Sequence, residues 1–174
     1  MSFHHLAIAT RDLEANHAFY TESMGFTLER TIVAPTDTGG WARHVFYDTG
    51  NGEMIAFWDL HDPTIGDFVP SISEGLGLPQ WTNHIAFNAP TVDDLAMARQ
   101  RWQDQGHYVY EIDHGWCTSI YTTDPNGIMV EFCTTTAVAT DADRAHALRL
   151  LREVTPELEA APTGTLYSPT TAPV

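Results

Sequence analysis

Residues 3–58 and 82–133 follow one plan, and a chain that repeats a plan of this length is built from two copies of a single unit. Each copy opens with a histidine-led run in which large apolar residues alternate, His5-Leu6-Ala7-Ile8-Ala9 and His84-Ile85-Ala86-Phe87-Asn88. A period of two marks a half-buried strand and sends Leu6, Ile8, Ile85 and Phe87 to one face. A helix follows in each copy, over about Asp12 to Met24 and about Thr91 to Gln105. Thr91 and Asp94 have the spacing of a capping box, Gly25 and Gly106 stand where a helix ends, and Leu95, Ala98 and Trp102 recur at helical spacing. Each copy then closes with a hairpin. Gly52-Glu53-Met54-Ile55-Ala56-Phe57 aligns with Gly127-Ile128-Met129-Val130-Glu131-Phe132, so that Ala56 and Glu131 are equivalent positions.

The expected fold class is α+β, with two paired βαβββ modules over residues 1–58 and 82–136 and a C-terminal helix. The connection 59–81 carries Pro63, Gly66, Pro70, Gly75, Gly77 and Pro79, which reads as an irregular loop placed to cover a site. In residues 137–174 the pattern predicts a helix from about Asp141 to Val154. Its apolar stripe, Ala145, Leu148 and Leu151, is expected to dock on the domain or on a second subunit. Prolines at 156, 162, 169 and 173 predict a flexible, poorly ordered tail beyond Thr155.

Composition narrows the partners. A net charge of -15, from 8 Lys plus Arg against 23 Asp plus Glu, repels phosphate backbones and anionic lipid, so nucleic acid and membranes are not expected partners. No apolar run has signal-peptide or membrane-spanning length, and Cys117 and Cys133 read as small apolar fillers in a reducing compartment. A cytoplasmic protein acting on a small molecule is the expectation.

Strand alternation decides which residues share a face with the histidines. His5, Ala7 and Ala9 point together, as do His84 and Ala86, and a polar ring flanked by alanines implies a cavity beside it. Either histidine by itself reads as a satisfied residue at a strand start. Their equivalent places in two repeats, with the Glu131 carboxylate at a third, make His5, His84 and Glu131 candidate metal ligands. Two imidazoles and one carboxylate form a facial set with open positions that suits one divalent ion, an arrangement associated with Fe(II) and also open to Mn, Co, Ni and Zn, among which the ligand set does not choose. A substrate with two adjacent oxygens chelates such an ion. Asp124-Pro125-Asn126-Gly127 suits a type I turn with Gly127 in the left-handed region as a bulge. Asp124 then pairs with Ile128, and counting back places Tyr121 opposite Glu131 in the same cavity; a plain four-residue loop would place Ile120 there instead.

Four motifs in this order resemble the vicinal oxygen chelate superfamily, which includes glyoxalase I, extradiol ring-cleaving dioxygenases, epimerases, and fosfomycin and bleomycin resistance proteins. They are His5 through Leu13, Phe19-Tyr20 before Gly25-Phe26, His84 through Phe87, and Asp124-Pro125-Asn126-Gly127 followed by Val130-Glu131. The resemblance implies paired modules forming a metal-containing cleft, a homodimer, and metal positions at His5, His84 and Glu131 with Ala56 at a fourth place. Glyoxalase I proteins usually carry a second carboxylate or similar ligand at that place. Extradiol dioxygenases lack a ligand there and carry a tyrosine ten residues before the metal glutamate, which matches Tyr121, so the resemblance favours a ring-cleaving dioxygenase and, with it, Fe(II). A glyoxalase-like lyase or isomerase and a metal-free drug-binding protein are the alternatives. The family's acid/base histidine before the second metal histidine has no counterpart, because residues 62–83 contain none. His61 is the nearest, and His114, just before the Tyr121 strand, is a candidate acid/base residue that would act behind the metal ligands, although both also read as surface or loop histidines. His4, His17, His44, His107 and His146 read as solvated or packing residues.

Overall fold

A computed structural model describes residues 3–171. Strand β1 (His5–Thr10) leads through Asp12, whose side chain accepts the Ala15 N–H at 2.9 Å, into α1 (Leu13–Ala18). The helix widens into a π-helical turn over Phe19–Ser23 and stops at Gly25, whose φ of 76° only glycine adopts without strain. Strands β2 (Thr27–Pro35), β3 (Trp41–Asp48) and β4 (Met54–His61) complete the first module. The second repeats the pattern with β5 (Ile85–Asn88), α3 (Val92–Asp104), β6 (Val109–Asp113), β7 (Cys117–Thr123) and β8 (Met129–Thr135). The capping box is present on α3, with Thr91 and Asp94 each bonding the other's backbone N–H. Sheet A has the order β1-β4-β3-β2, with β1 and β4 parallel, and the second module places β5 and β8 parallel in the same way.

Helix α1 with its π-helical turn, helix α3 and the inward faces of both sheets share one core. Phe26 of the first module meets Phe87 and Phe132 of the second with ring centroids 5.0 and 6.2 Å apart, and Tyr20, Tyr47, Phe57, Trp102, Val130 and Ile120 are all shut off from water. A buried polar network joins the modules as well. The Tyr20 hydroxyl donates to Asp124 Oδ2 at 3.0 Å, Thr10 donates to Asn126 Oδ1 at 2.7 Å, and Asn126 Nδ2 donates to Asn16 Oδ1 at 2.8 Å. Burial pushes the Asp124 carboxyl up, against the hydrogen bonds from Asn126, Ile128 and Tyr20 that pull it down.

Two expectations need correction. The connection 59–81 is not wholly irregular: β4 runs on to His61, Ser71 caps the one-turn helix α2 (Ile72–Gly75), and a 3-10 turn spans Gln80–Asn83. The breakers limit each helical piece to a single turn rather than preventing any. Beyond Thr155 the proline-rich stretch carries β9 (Gly164–Tyr167), which pairs antiparallel with β6 and makes sheet B five-stranded, in the order β5-β8-β7-β6-β9. Arg99 lies over the Tyr167 ring at 4.5 Å, Gln103 donates to the Ser168 carbonyl at 2.8 Å, and the Thr170 N–H reaches the Gln103 carbonyl at 3.0 Å. Edge pairing and the end of α3 thus hold a segment whose composition alone would leave it loose. The predicted C-terminal helix is α4 (Asp141–Arg152). None of its residues is buried, and Leu148 and Leu151 stay 48% and 82% exposed, so within one chain its apolar stripe does not dock on the domain.

Candidate metal centre

The turn before β8 sets the site. The Asp124 N–H donates to the Ile128 carbonyl at 2.9 Å, the Gly127 N–H donates to the Asp124 carbonyl at 3.0 Å, and Gly127 takes a φ of 79°. This bulged turn sets β7 and β8 in the register that pairs Tyr121 with Glu131, while the parallel neighbour β5 pairs Ala86 with Glu131. His84 lies just outside β5, in extended backbone after the 3-10 turn, two residues before Ala86 and on the same face.

His84 is held at both ring nitrogens. Nδ1 lies 2.9 Å from the Trp81 carbonyl oxygen, and Nε2 lies 2.9 Å from Glu131 Oε2, whose side chain is only 6% exposed. A carbonyl only accepts, so Nδ1 carries the hydrogen and donates it. The lone pair of a neutral ring then points from Nε2 at a carboxylate oxygen, and two acceptors at hydrogen-bond distance require a positive centre between them. Either a proton on Nε2 or a bound cation would supply it. A backbone carbonyl that accepts the other ring N–H, as the Trp81 carbonyl does from His84, is also the usual outer support of a metal-binding histidine. His84 and Glu131 therefore offer two of the donors that a divalent metal would need.

Tyr121 and His114 join this pair. The Tyr121 hydroxyl lies 3.0 Å from His114 Nε2, and its ring stands edge-on to His84 with centroids 6.3 Å apart. Burial pushes the Tyr121 phenol up to about 12, and the Glu131 charge adds to the effect. The phenol therefore keeps its proton at neutral pH. His61 sits elsewhere, with Nε2 2.8 Å from Asp59 and its ring stacked on Trp41 at 3.9 Å.

His5 is on sheet A. Its ring packs edge-on to Phe46 with centroids 5.4 Å apart, and its Nδ1 lies 2.8 Å from that of His4. Ala56, fully buried, pairs with Ala7 and Phe46 and offers no donor atom. Within one chain His84, Glu131, Tyr121 and His114 come together and His5 does not join them. Among the described residues no three His, Cys, Asp or Glu side chains are grouped so as to hold a metal.

A cavity of about 740 Å³ opens over sheet B, lined by Trp81, His84, Tyr110, Ile112, Tyr121 and Leu166 among others, with no lysine or arginine in its wall. Trp81, Tyr110 and Leu166 were not singled out in the sequence. Tyr110 was within reach of the same strand counting that located Tyr121, since it pairs with it. Leu166 was not, because nothing in Gly164-Thr165-Leu166-Tyr167 tells which strand it joins. A separate hollow of about 430 Å³ on sheet A is lined by His5, Arg30, Phe46 and Met54.

Residues 2–132 match the model of the Glyoxalase/Bleomycin resistance protein/Dioxygenase superfamily. Solved structures share the fold at low identity. A glyoxylase/bleomycin resistance protein/dioxygenase domain from Frankia sp. EAN1pec is 18% identical with a TM-score of 0.59, over 78% of this chain and 98% of that one. A lactoylglutathione lyase from Agrobacterium tumefaciens is 20% identical with a TM-score of 0.52, over 76% and 92%. TnmS3, an antibiotic binding protein from Streptomyces sp. CB03234, is 18% identical with a TM-score of 0.54, over 78% and 97%. No curated protein matches the sequence significantly. With the family model spanning most of both modules and each motif on the expected strand or turn, the chain belongs to the Glyoxalase/Bleomycin resistance protein/Dioxygenase superfamily.

Proposed function

We propose that this protein is a divalent-metal-dependent oxidoreductase of the extradiol ring-cleaving type, acting on a small substrate with two vicinal oxygens. The observation that carries the reading is the 2.9 Å approach of His84 Nε2 to Glu131 Oε2 with Nδ1 committed to the Trp81 carbonyl. His84 and Glu131 supply two ligands, and His5 of a second copy supplies the third. In a twofold dimer each His5-bearing sheet A meets the sheet B of its partner, giving two equivalent sites. When bound, the ion supplies Lewis acidity toward two adjacent substrate oxygens and, as Fe(II), access to dioxygen chemistry.

The remaining work falls to side chains of this chain. Tyr121, protonated and facing Glu131, would give its hydroxyl hydrogen to a substrate oxygen, and a proton carried on His114 Nε2, 3.0 Å away, would replace it at the phenolic oxygen. Substrate lying on the apolar wall of the cavity would displace water from the reacting face. A lyase of the glyoxalase type needs a further carboxylate as ligand or base, and the equivalent place holds the methyl group of Ala56.

One observation favours a second reading, a metal-free binding protein for aromatic compounds: the cavity is lined by Trp81, Tyr110 and Tyr121, and TnmS3 is an antibiotic binding protein of the same fold. The test is metal analysis of protein purified without added metal, followed by oxygen uptake on catechol in air and under nitrogen. About one ion per chain with oxygen-dependent loss of catechol is the expected result. Aromatic binding without metal would favour the second reading.

A further inference from the structure

Sheet B carries a cross-strand row that starts at the candidate metal centre. Glu131 on β8 faces Tyr121 on β7, Tyr121 faces Tyr110 on β6, and Tyr110 faces Leu166 on β9. Three inter-strand steps of about 4.8 Å carry the row roughly 14 Å from the carboxylate. The first residue is charged and the outer two present apolar surface to the cavity, with Tyr110 43% and Leu166 64% exposed. The outer end therefore offers water-exposed apolar area that a ligand would cover.

The last strand of this row lies outside residues 2–132, the part of the chain that matches the family model. Its fit to the neighbouring strand is specific. A Cβ placed on Gly164 would fall against Oη and Cζ of Tyr110, so only glycine at 164 leaves room for the Tyr110 ring to lie across β9. Gly164 has ordinary backbone angles, so the glycine answers a need for space and not for a left-handed turn. The wall is free of lysine and arginine in a chain of net charge -15, which disfavours anionic ligands such as carboxylates and phosphates.

We propose that β9 builds a second subsite, in which Tyr110 seated on Gly164, together with Leu166, selects an uncharged aromatic substrate of two or more rings over a single ring. The proposal rests on the reading of the sheet B cavity as the substrate site. The vicinal oxygens lie at Glu131 and the further ring lies along Tyr110 and Leu166. One added ring covers on the order of 50–60 Å² of apolar surface, which corresponds to about tenfold in affinity.

Titration calorimetry of the full-length protein with catechol, naphthalene-2,3-diol and naphthalene tests this. The wild type should bind naphthalene-2,3-diol about tenfold more tightly than catechol. Gly164→Ala, which displaces the Tyr110 ring, and Leu166→Ala, at an exposed position that leaves the core intact, should each remove most of that preference while catechol affinity stays within about twofold. Equal losses for both diols, or an unchanged preference in Leu166→Ala, would overturn the subsite. So would dissociation of a dimer in these variants with the preference intact, since β9 would then belong to a subunit contact. Naphthalene has the rings without the oxygens. A protein that holds no metal yet binds naphthalene in a Leu166-dependent way would fail the proposed oxidoreductase function and keep this inference.

Discussion

The two modules place the same two positions around a histidine and fill them differently. In the second, His84 has Glu131 on one neighbouring strand and Tyr121 on the next; in the first, His5 has Ala56 and Phe46 at the matching register positions. The geometry is shared down to the edge-on ring contact, His84 on Tyr121 and His5 on Phe46. The first module thus lacks the carboxylate and the phenolic oxygen, and what it retains for chemistry is one imidazole. Backbone register is a property of the repeat, and chemistry is a property of two side chains in one copy of it.

The largest effect should come from making the second module resemble the first at its carboxylate. Glu131→Ala should abolish stoichiometric metal, with activity falling by more than the roughly 10–100-fold that follows loss of a ligand's hydrogen-bond partner. Circular dichroism should show the fold retained, because an alanine already occupies the matching core position, Ala56. Metal retained in this variant would break the comparison. Tyr121→Phe, which copies Phe46, should leave metal content unchanged and lower turnover by on the order of 100-fold. Unchanged turnover would return Tyr121 to a packing role.

Much of this was legible in the sequence because the repeat is exact where it matters. Gly, Met and Phe in matching hairpins locate Ala56 opposite Glu131 in the pseudo-symmetry, and the Asp-Pro-Asn-Gly turn fixes the register that brings Tyr121 to Glu131. What stayed out of reach depends on distant contacts. The placement of His5 apart from His84 follows from how Phe26, Tyr20 and Arg101 join the modules, and no local pattern encodes that. Strand β9 has only four residues and borrows its order from β6 and α3, so proline content misled.

The two hairpin turns sharpen the contrast at the level of stability. Asp48 accepts from the N–H groups of Gly50 and Gly52 at 3.0 and 3.2 Å in an exposed turn, whereas Asp124 accepts from Asn126 and Ile128 N–H groups, the Asn126 amide and the Tyr20 hydroxyl in a buried one. Asp124→Ala leaves buried donors unpaired and should cost about 1–3 kcal/mol in urea unfolding, while Asp48→Ala should cost about 0.5 kcal/mol or less. Similar costs would show that the module junction is not pinned through this turn.

The smallest effect concerns His107 of the second module, whose Nε2 lies 2.8 Å from Ser23 Oγ of the first and whose burial lowers its pKa from the ordinary 6.5. A histidine with a depressed folded pKa is charged more readily in the unfolded chain. Its contribution is therefore fully present above pH 6.5 and is lost as pH falls below that value. Melting temperature should drop from pH 7.5 toward pH 5.5, and His107→Gln should flatten that slope. An identical slope in the variant would remove His107 as its source.

Complementation between two defective chains tests most directly whether His5 of one copy and the His84–Glu131 pair of another hold one metal. His5→Ala and Glu131→Ala chains, each purified alone, should carry no stoichiometric metal. Co-expressed with different affinity tags and isolated as the mixed dimer, they should recover about one ion per dimer, because one of the two composite sites then has all its ligands intact. A mixed dimer without metal, or a His5→Ala protein that keeps its full complement alone, would contradict the account.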